Sequence, residues 1–389
     1  NPTIGTRTTF TAFTETNTGT LYKATEQIGT NEAKDVYYFA GDAKNNWVKF
    51  GKTTESSCTY KGKELIIYND IGDFPTFKNV DTQTECETYS LCSFEYYGTM
   101  LVEDSTLCED VEETILTEKA TWNGTTTKDV YWRIIRTNAD GSIKLLYAGT
   151  SPVTDKAYVG ASAFNTTSND PMYVGYKYGT TGSLENNRLN TNDSTIKTYV
   201  DNWYKNNLTT YTKYLSNDAV YCNDRNLASG QTYSTTSNFD YASVERIKTN
   251  KQPTYNCTNM SDAFSVNNTS AKLDYPIGLM TIDELSYAGG QSITTLDAPY
   301  AWYYTNANGE SITGSASFWT LSPASWHGSN SFVFGVLGSG EPSYLYNGRG
   351  DTTFAVRPSV SLSSCNLISR GDGSPENPYI VYTGSGVCE

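Results

Sequence analysis

Short apolar runs broken by Gly, Asn, Ser and Pro dominate this chain, and most of them follow the period-two alternation of half-buried strands. The clearest lies at residues 129–147. There Val130, Trp132 and Ile134 alternate with polar or opposite-face residues, Asn138-Ala-Asp-Gly141 supplies a turn, and residues 143–147 return, which predicts a hairpin at the centre of an antiparallel sheet. Further strands are predicted at 36–40, 47–50, 65–68, 318–321, 331–337 and 353–357. Helical spacing is scarcer. Ile196, Tyr199, Val200 and Trp203 recur every three to four residues behind a cap at Asp193 or Ser194, predicting a helix over 194–206 whose aromatics are core. A second helix opens at Thr281, where Thr281-Ile-Asp-Glu284 makes a capping box, and stops before Gly289-Gly290; capping accounts for Glu284 without assigning it catalysis. Residues 21–28 are read as a short helix, and the Asn-, Thr- and Ser-rich stretch 208–272 as mostly loop, too long to sit in a compact domain without a crosslink.

The crosslinks are on hand. Eight cysteines with no CxxC spacing point to disulfides in an oxidising compartment rather than to ligands or nucleophiles. Cys58, Cys86, Cys92 and Cys108 fall together, Cys222 and Cys257 flank one loop-rich segment, and Cys365 and Cys388 bracket the C-terminus. Pairing is expected within each group, as Cys222–Cys257 and Cys365–Cys388, with the first group open among three patterns.

Composition narrows the partners. A formal net charge of −14 repels nucleic acid and anionic membranes alike. No apolar run is long enough to span a bilayer, and the expected location is extracellular or on a cell surface, with any leader or anchor outside this sequence. Aromatic content of 13% argues against disorder.

The most varied stretch is 318–362, FWTLSPASWHGSNSFVFGVLGSGEPSYLYNGRGDTTFAVRPSVSL. Trp319, Phe332, Phe334, Phe354 and Val356 read as a frame, and Arg357 as an internal contact. Between them lie Ala324, Ser325, Trp326, His327, Ser329, Asn330, Ser339, Tyr344, Tyr346, Asn347, Arg349 and Asp351, the residue types that build recognition surfaces, where rigid amphipathic rings supply area and small polar groups supply hydrogen bonds. Trp326, Tyr344 and Tyr346 are the expected anchors, and Arg349 with Asp351 the orienting charges.

WTLSP (319–323), VFGV (333–336) and FAVRPSVSL (354–362) resemble the C-terminal part of C-type-lectin-fold proteins. Two groups are similar: a secreted domain family of unknown function from Gram-positive gut bacteria, and the variable proteins of diversity-generating retroelements. The similarity extends to YYFAGDAKNNWVKFG (37–51), DVYWRIIRTNADGSIKLLYAGT (129–150), the helix near Trp203 and YPIGLMTIDELSYAGG (275–290). It implies an α+β fold, an irregular antiparallel sheet with two helices and long loops. In the resembling family the strand at 47–50 runs almost directly into YWRIIR, whereas here residues 52–128 intervene with half the cysteines. We therefore expect three segments: 1–51 with the first strands, 52–128 as a small disulfide-stapled inserted module, and 129–389 as the lectin-like domain with its binding face at 322–352.

Catalytic chemistry is sparse. His327 is the one histidine, and no nucleophile elbow, phosphate loop or His-rich metal spacing occurs. The sulfatase activators that share the resembling fold depend on a cysteine pair in a region that here has none. Asp, Asn and backbone oxygens leave room for a structural calcium ion, but there is no EF-hand-like loop, and Glu341-Pro342-Ser343 matches the lectin Glu-Pro-Asn triplet only in part. The expectation is a non-enzymatic receptor or adhesin without cofactor, binding a protein or glycan on another cell or phage surface. Its face would be diversified by a retroelement that mutates template adenines. Asn, Ser, Tyr, His, Asp, Gly and Arg are reachable from adenine-rich Asn codons, whereas Trp326 and Glu341 are not. The competing expectation is a structural pilin-like or surface-layer subunit, a partner in pilus or surface assembly.

Overall fold

The hairpin expected at 129–147 forms, and it organises the larger of two units in the computed structural model, which describes residues 2–13, 15–71, 74–94, 97–108, 118–292, 301–338 and 344–388. Asn1–Gly51 with Asp129–Glu389 make the larger unit and Lys52–Lys128 the smaller. The strands Thr121–Thr137 and Ile143–Tyr147 run antiparallel with Trp132 opposite Tyr147, and the register shifts between Ile134 and Arg136. Their sheet continues through Thr3–Gly5, Thr20–Glu26 and Lys34–Tyr38 on one side and Pro358–Leu362 and Ile277–Leu279 on the other.

Both faces of this sheet are covered, because both carry apolar residues. Val130, Trp132, Leu145 and Tyr147 pack with Ile196, Val200 and Tyr204 of the helix Thr195–Asn207. Ile135 and Leu146 pack on the other side with Ile282 and Leu285 of the helix Ile282–Ala288 and with Trp302. Each fully buried aliphatic side chain of this kind contributes roughly 1.5–3 kcal/mol. Ser194 caps the first helix by accepting from the Lys197 N–H. Thr281 and Glu284 form the expected capping box of the second, which ends at Gly289 in the left-handed region.

A second sheet holds the strands between 318 and 355, while 358–362 belong to the first. Phe318–His327, Asn330–Val336 and Leu345–Arg349 pair in antiparallel order, with Thr353–Ala355 and Ala161–Ala163 beyond the first and Phe239–Asp240 also paired to it. Arg357 is internal, donating to the carbonyls of Tyr147 and Tyr303.

Residues 21–28 are not helical. Thr20–Glu26 is a strand paired with Lys34–Tyr38, which places Tyr22 opposite Tyr38; cross-strand pairing overrode a local pattern too short to nucleate a helix. The stretch 208–272 also carries more structure than a crosslinked loop. Tyr221–Cys222 pairs with Ala263–Phe264, a short helical segment follows at Ala242–Val244, and the buried Arg225 donates to Asp262.

The smaller unit is a four-stranded sheet, Ser90–Phe94, Gly98–Val102, Ile66–Ile71 and Phe74–Asn79 in that order, with a helix Gln83–Thr88 capped by Thr82 and Glu85. Cys58, Leu65, Ile67, Val80, Cys86, Leu91, Leu101 and Ala120 form its core. The four disulfides are Cys58–Cys86, Cys92–Cys108, Cys222–Cys257 and Cys365–Cys388. No helix among the described residues is long and apolar enough to cross a membrane.

Candidate functional site

The second sheet ends in two tight turns that bring part of the expected face together. His327 pairs with Asn330 across Gly328 and Ser329. Both turn residues have positive φ, 56° and 65°, the geometry of a type I′ hairpin turn, in which a non-glycine residue is uncommon. At the neighbouring turn Arg349 donates to Asp351 through two nitrogens, at 2.8 and 2.7 Å. The Ser168 hydroxyl joins the turns, lying 2.8 Å from Asn330 Oδ1 and 3.1 Å from Asp351 Oδ2. Arg349 is 54% exposed and Asp351 22%, and the guanidinium holds the Asp351 carboxyl below the usual range. The result is a polar rim of His327, Ser329, Asn330, Arg349 and Asp351. Ser168 and Asn238, whose side chain accepts from the Gly328 N–H, were missed in the sequence; both come from remote loops, and no local pattern singles them out.

Other expected face residues are elsewhere. Ala324, Ser325 and Trp326 are buried, at 0%, 7% and 2% exposure, and are corrected from contact residues to frame. The reason is the strand Phe239–Asp240, which pairs with Ser325 and Trp326 and turns an expected loop into a covered strand. Tyr346 is exposed but projects away from Arg349. Tyr346 stands opposite Gly335, whereas Asn347 and Arg349 stand opposite Phe334 and Phe332, and adjacent positions of a strand point to opposite faces. Asn347 is half-buried on the Arg349 face; Tyr344 is half-buried and bridges to Gln291. Ser339 lies outside the described residues.

Two charge clusters lie away from the rim. In the first, Arg136 bridges Glu26 and Glu284, Lys144 lies 2.7 Å from Glu284, and Arg246 joins Asp283 to Asp224. Burial opposes ionisation of Glu284, but Lys144 and Arg136 outweigh it and hold the carboxyl below its ordinary value. The cavity here is about 20 Å³, enough for one water and for no substrate. In the second, Asp193, Asp201 and Asp274 bring their oxygens close enough for a metal ion, yet the Lys197 ammonium sits among them at 3.1, 2.5 and 2.8 Å. A side chain already supplies the cation, so the residues do not fit a calcium ion as well.

No family model, curated protein or solved structure matches this chain.

Proposed function

We propose that the protein is a secreted or surface-displayed ligand-binding protein, a receptor or adhesin whose larger unit is a C-type-lectin-like domain presenting the 327–330 and 349–351 rim to a protein or glycan. The supporting observation is the network Asn330–Ser168–Asp351–Arg349. A half-exposed guanidinium already oriented by two hydrogen bonds, on strands whose frame residues Trp319, Phe334 and Val336 are buried, loses little freedom on binding. Four disulfides suit the oxidising exterior. The test is capture of bacterial cells and phage by the purified full chain. Asn330→Ala with Arg349→Ala should weaken capture about tenfold or more with an unchanged melting temperature; equal capture by the two proteins overturns the rim.

Diversification by a retroelement is the sharper form of the proposal, and burial restricts it. Substitutions across a cell population should fall at His327, Ser329, Asn330, Tyr344, Tyr346, Asn347, Arg349 and Asp351 and spare Ala324, Ser325 and Trp326. Deep sequencing of the encoding DNA reads this directly. An invariant 318–362 segment with no reverse transcriptase gene beside it removes the retroelement.

A further inference from the structure

One buried lysine anchors the helix Thr195–Asn207. The Lys197 ammonium reaches Asp193 at 3.1 Å, Asp201 at 2.5 Å and Asp274 at 2.8 Å. Asp201 lies one turn further along the same helix, Asp193 in the strand Asn192–Asp193 that pairs with Lys177–Tyr178, and Asp274 just before Ile277–Leu279. The cluster therefore ties the helix to two other parts of the larger unit. Its charges do not cancel. Lys177 adds a second cation, 2.9 Å from Asp193, which leaves three carboxylates in contact with two ammonium groups.

The three carboxylates meet unlike surroundings. The side chain of Asp274 is 60% exposed and that of Asp193 34%, so water screens both. The Asp201 side chain is 12% exposed. Its Oδ2 accepts from Lys197, and its Oδ1 is buried without a hydrogen-bond partner. A carboxylate oxygen shut away from donors and from water opposes the charged form of its group. Around Asp201 stand Lys197 on its own helix, Asp193 and Asp274 on the neighbouring segments, Lys177 and Lys272, which act on Asp274, and the buried Tyr176 hydroxyl, which also lacks a partner.

We propose that Asp201 is a proton-operated latch: charged at neutral pH, it takes up one proton in mild acid, and the helix Thr195–Asn207 is then held more firmly in the larger unit. With Asp201 neutral, Lys197 keeps Asp193 and Asp274 as counter-ions, and the excess negative charge is gone. Burial, the largest influence, pushes the Asp201 carboxyl up to about 6 against the pull of Lys197. The Lys197 hydrogen bond instead holds Asp274 below the ordinary range. An aspartate in the unfolded chain titrates near about 3.9. The contribution of Asp201 to stability is therefore complete below about pH 4 and lost as the pH rises through about 6.

The test is urea unfolding of the full, disulfide-intact chain from about pH 7.5 to about pH 5.5, for the wild type, Asp201→Asn and Asp274→Asn. The wild-type midpoint should rise on acidification. Asp201→Asn, which keeps the shape of the protonated acid, should start from a higher midpoint near neutral pH and gain less than about half as much. Asp274→Asn, at an exposed site, removes a neighbouring negative charge and should move the rise to lower pH. Relief of the net charge of −14 raises all three curves alike, so the differences between them are the reading. Parallel curves for the wild type and Asp201→Asn, a lower midpoint for Asp201→Asn near neutral pH, or a rise whose position ignores Asp274→Asn overturns the proposal. If Asp201→Asn does not refold, the curve of Asp274→Asn decides alone.

Discussion

Trp326 and Arg349 belong to the same three-stranded part of the second sheet and meet opposite environments. Trp326 is 2% exposed and shares a core cluster with Phe239 and Tyr241, while the Arg349 side chain is 54% exposed and bound to a neighbour two residues away. Trp326→Ala should therefore cost about 3–5 kcal/mol of stability, and Arg349→Ala less than about 1 kcal/mol, because an exposed ion pair is screened by solvent. Urea unfolding midpoints separate the two; an equal shift would mean that the strand Phe239–Asp240 does not cover Trp326 in solution. An indole is equally at home in a core or on a recognition surface, so residue type alone could not tell Trp326 from Arg349 as a contact. Arg357 was legible as internal because an arginine between an apolar strand and Pro358 has few exposed alternatives.

The helix Ile282–Ala288 carries two roles on one side chain. Glu284 closes the capping box with Thr281 and also neutralises Arg136 and Lys144, all three being almost fully buried. Glutamine can serve a capping box as well, so Glu284→Gln isolates the charge. That substitution leaves two buried cations short of a counter-ion and should cost about 3–5 kcal/mol, against about 1 kcal/mol for Thr281→Ala, which loses the cap alone. Urea denaturation of the two variants measures the difference; costs that match would reduce Glu284 to a cap. The sequence showed the cap because its partners are three residues apart. It hid the ion network, since Glu26, Arg136, Lys144 and Glu284 are brought together only by the sheet and the helix that packs on it. The 21–28 segment failed for the same reason: its partner strand decided its conformation.

At the scale of the molecule, Lys49 and Asp129, the residues near the two points where the chain leaves and re-enters the larger unit, lie 2.9 Å apart through their side chains. Replacing residues 52–128 with a short Asn-Gly turn should leave the larger unit folded, and calorimetry should lose the transition that belongs to the smaller one. A chain that stays unfolded after oxidative refolding would overturn that independence. The smaller unit leans on Cys58–Cys86 and Cys92–Cys108, whose loops of 28 and 16 residues are worth about 3–4 kcal/mol each. By itself the sequence determined the central hairpin, both capped helices, the short strands of 318–362, the cysteine groups and the acidic charge, because each depends on neighbours in the chain or on composition. Only the tertiary structure decided which face residues are buried, which polar groups meet at Ser168, and that Asp274 joins Asp193 and Asp201 on Lys197. Those outcomes depend on which strands pair and which faces they cover, and a period-two pattern leaves both open.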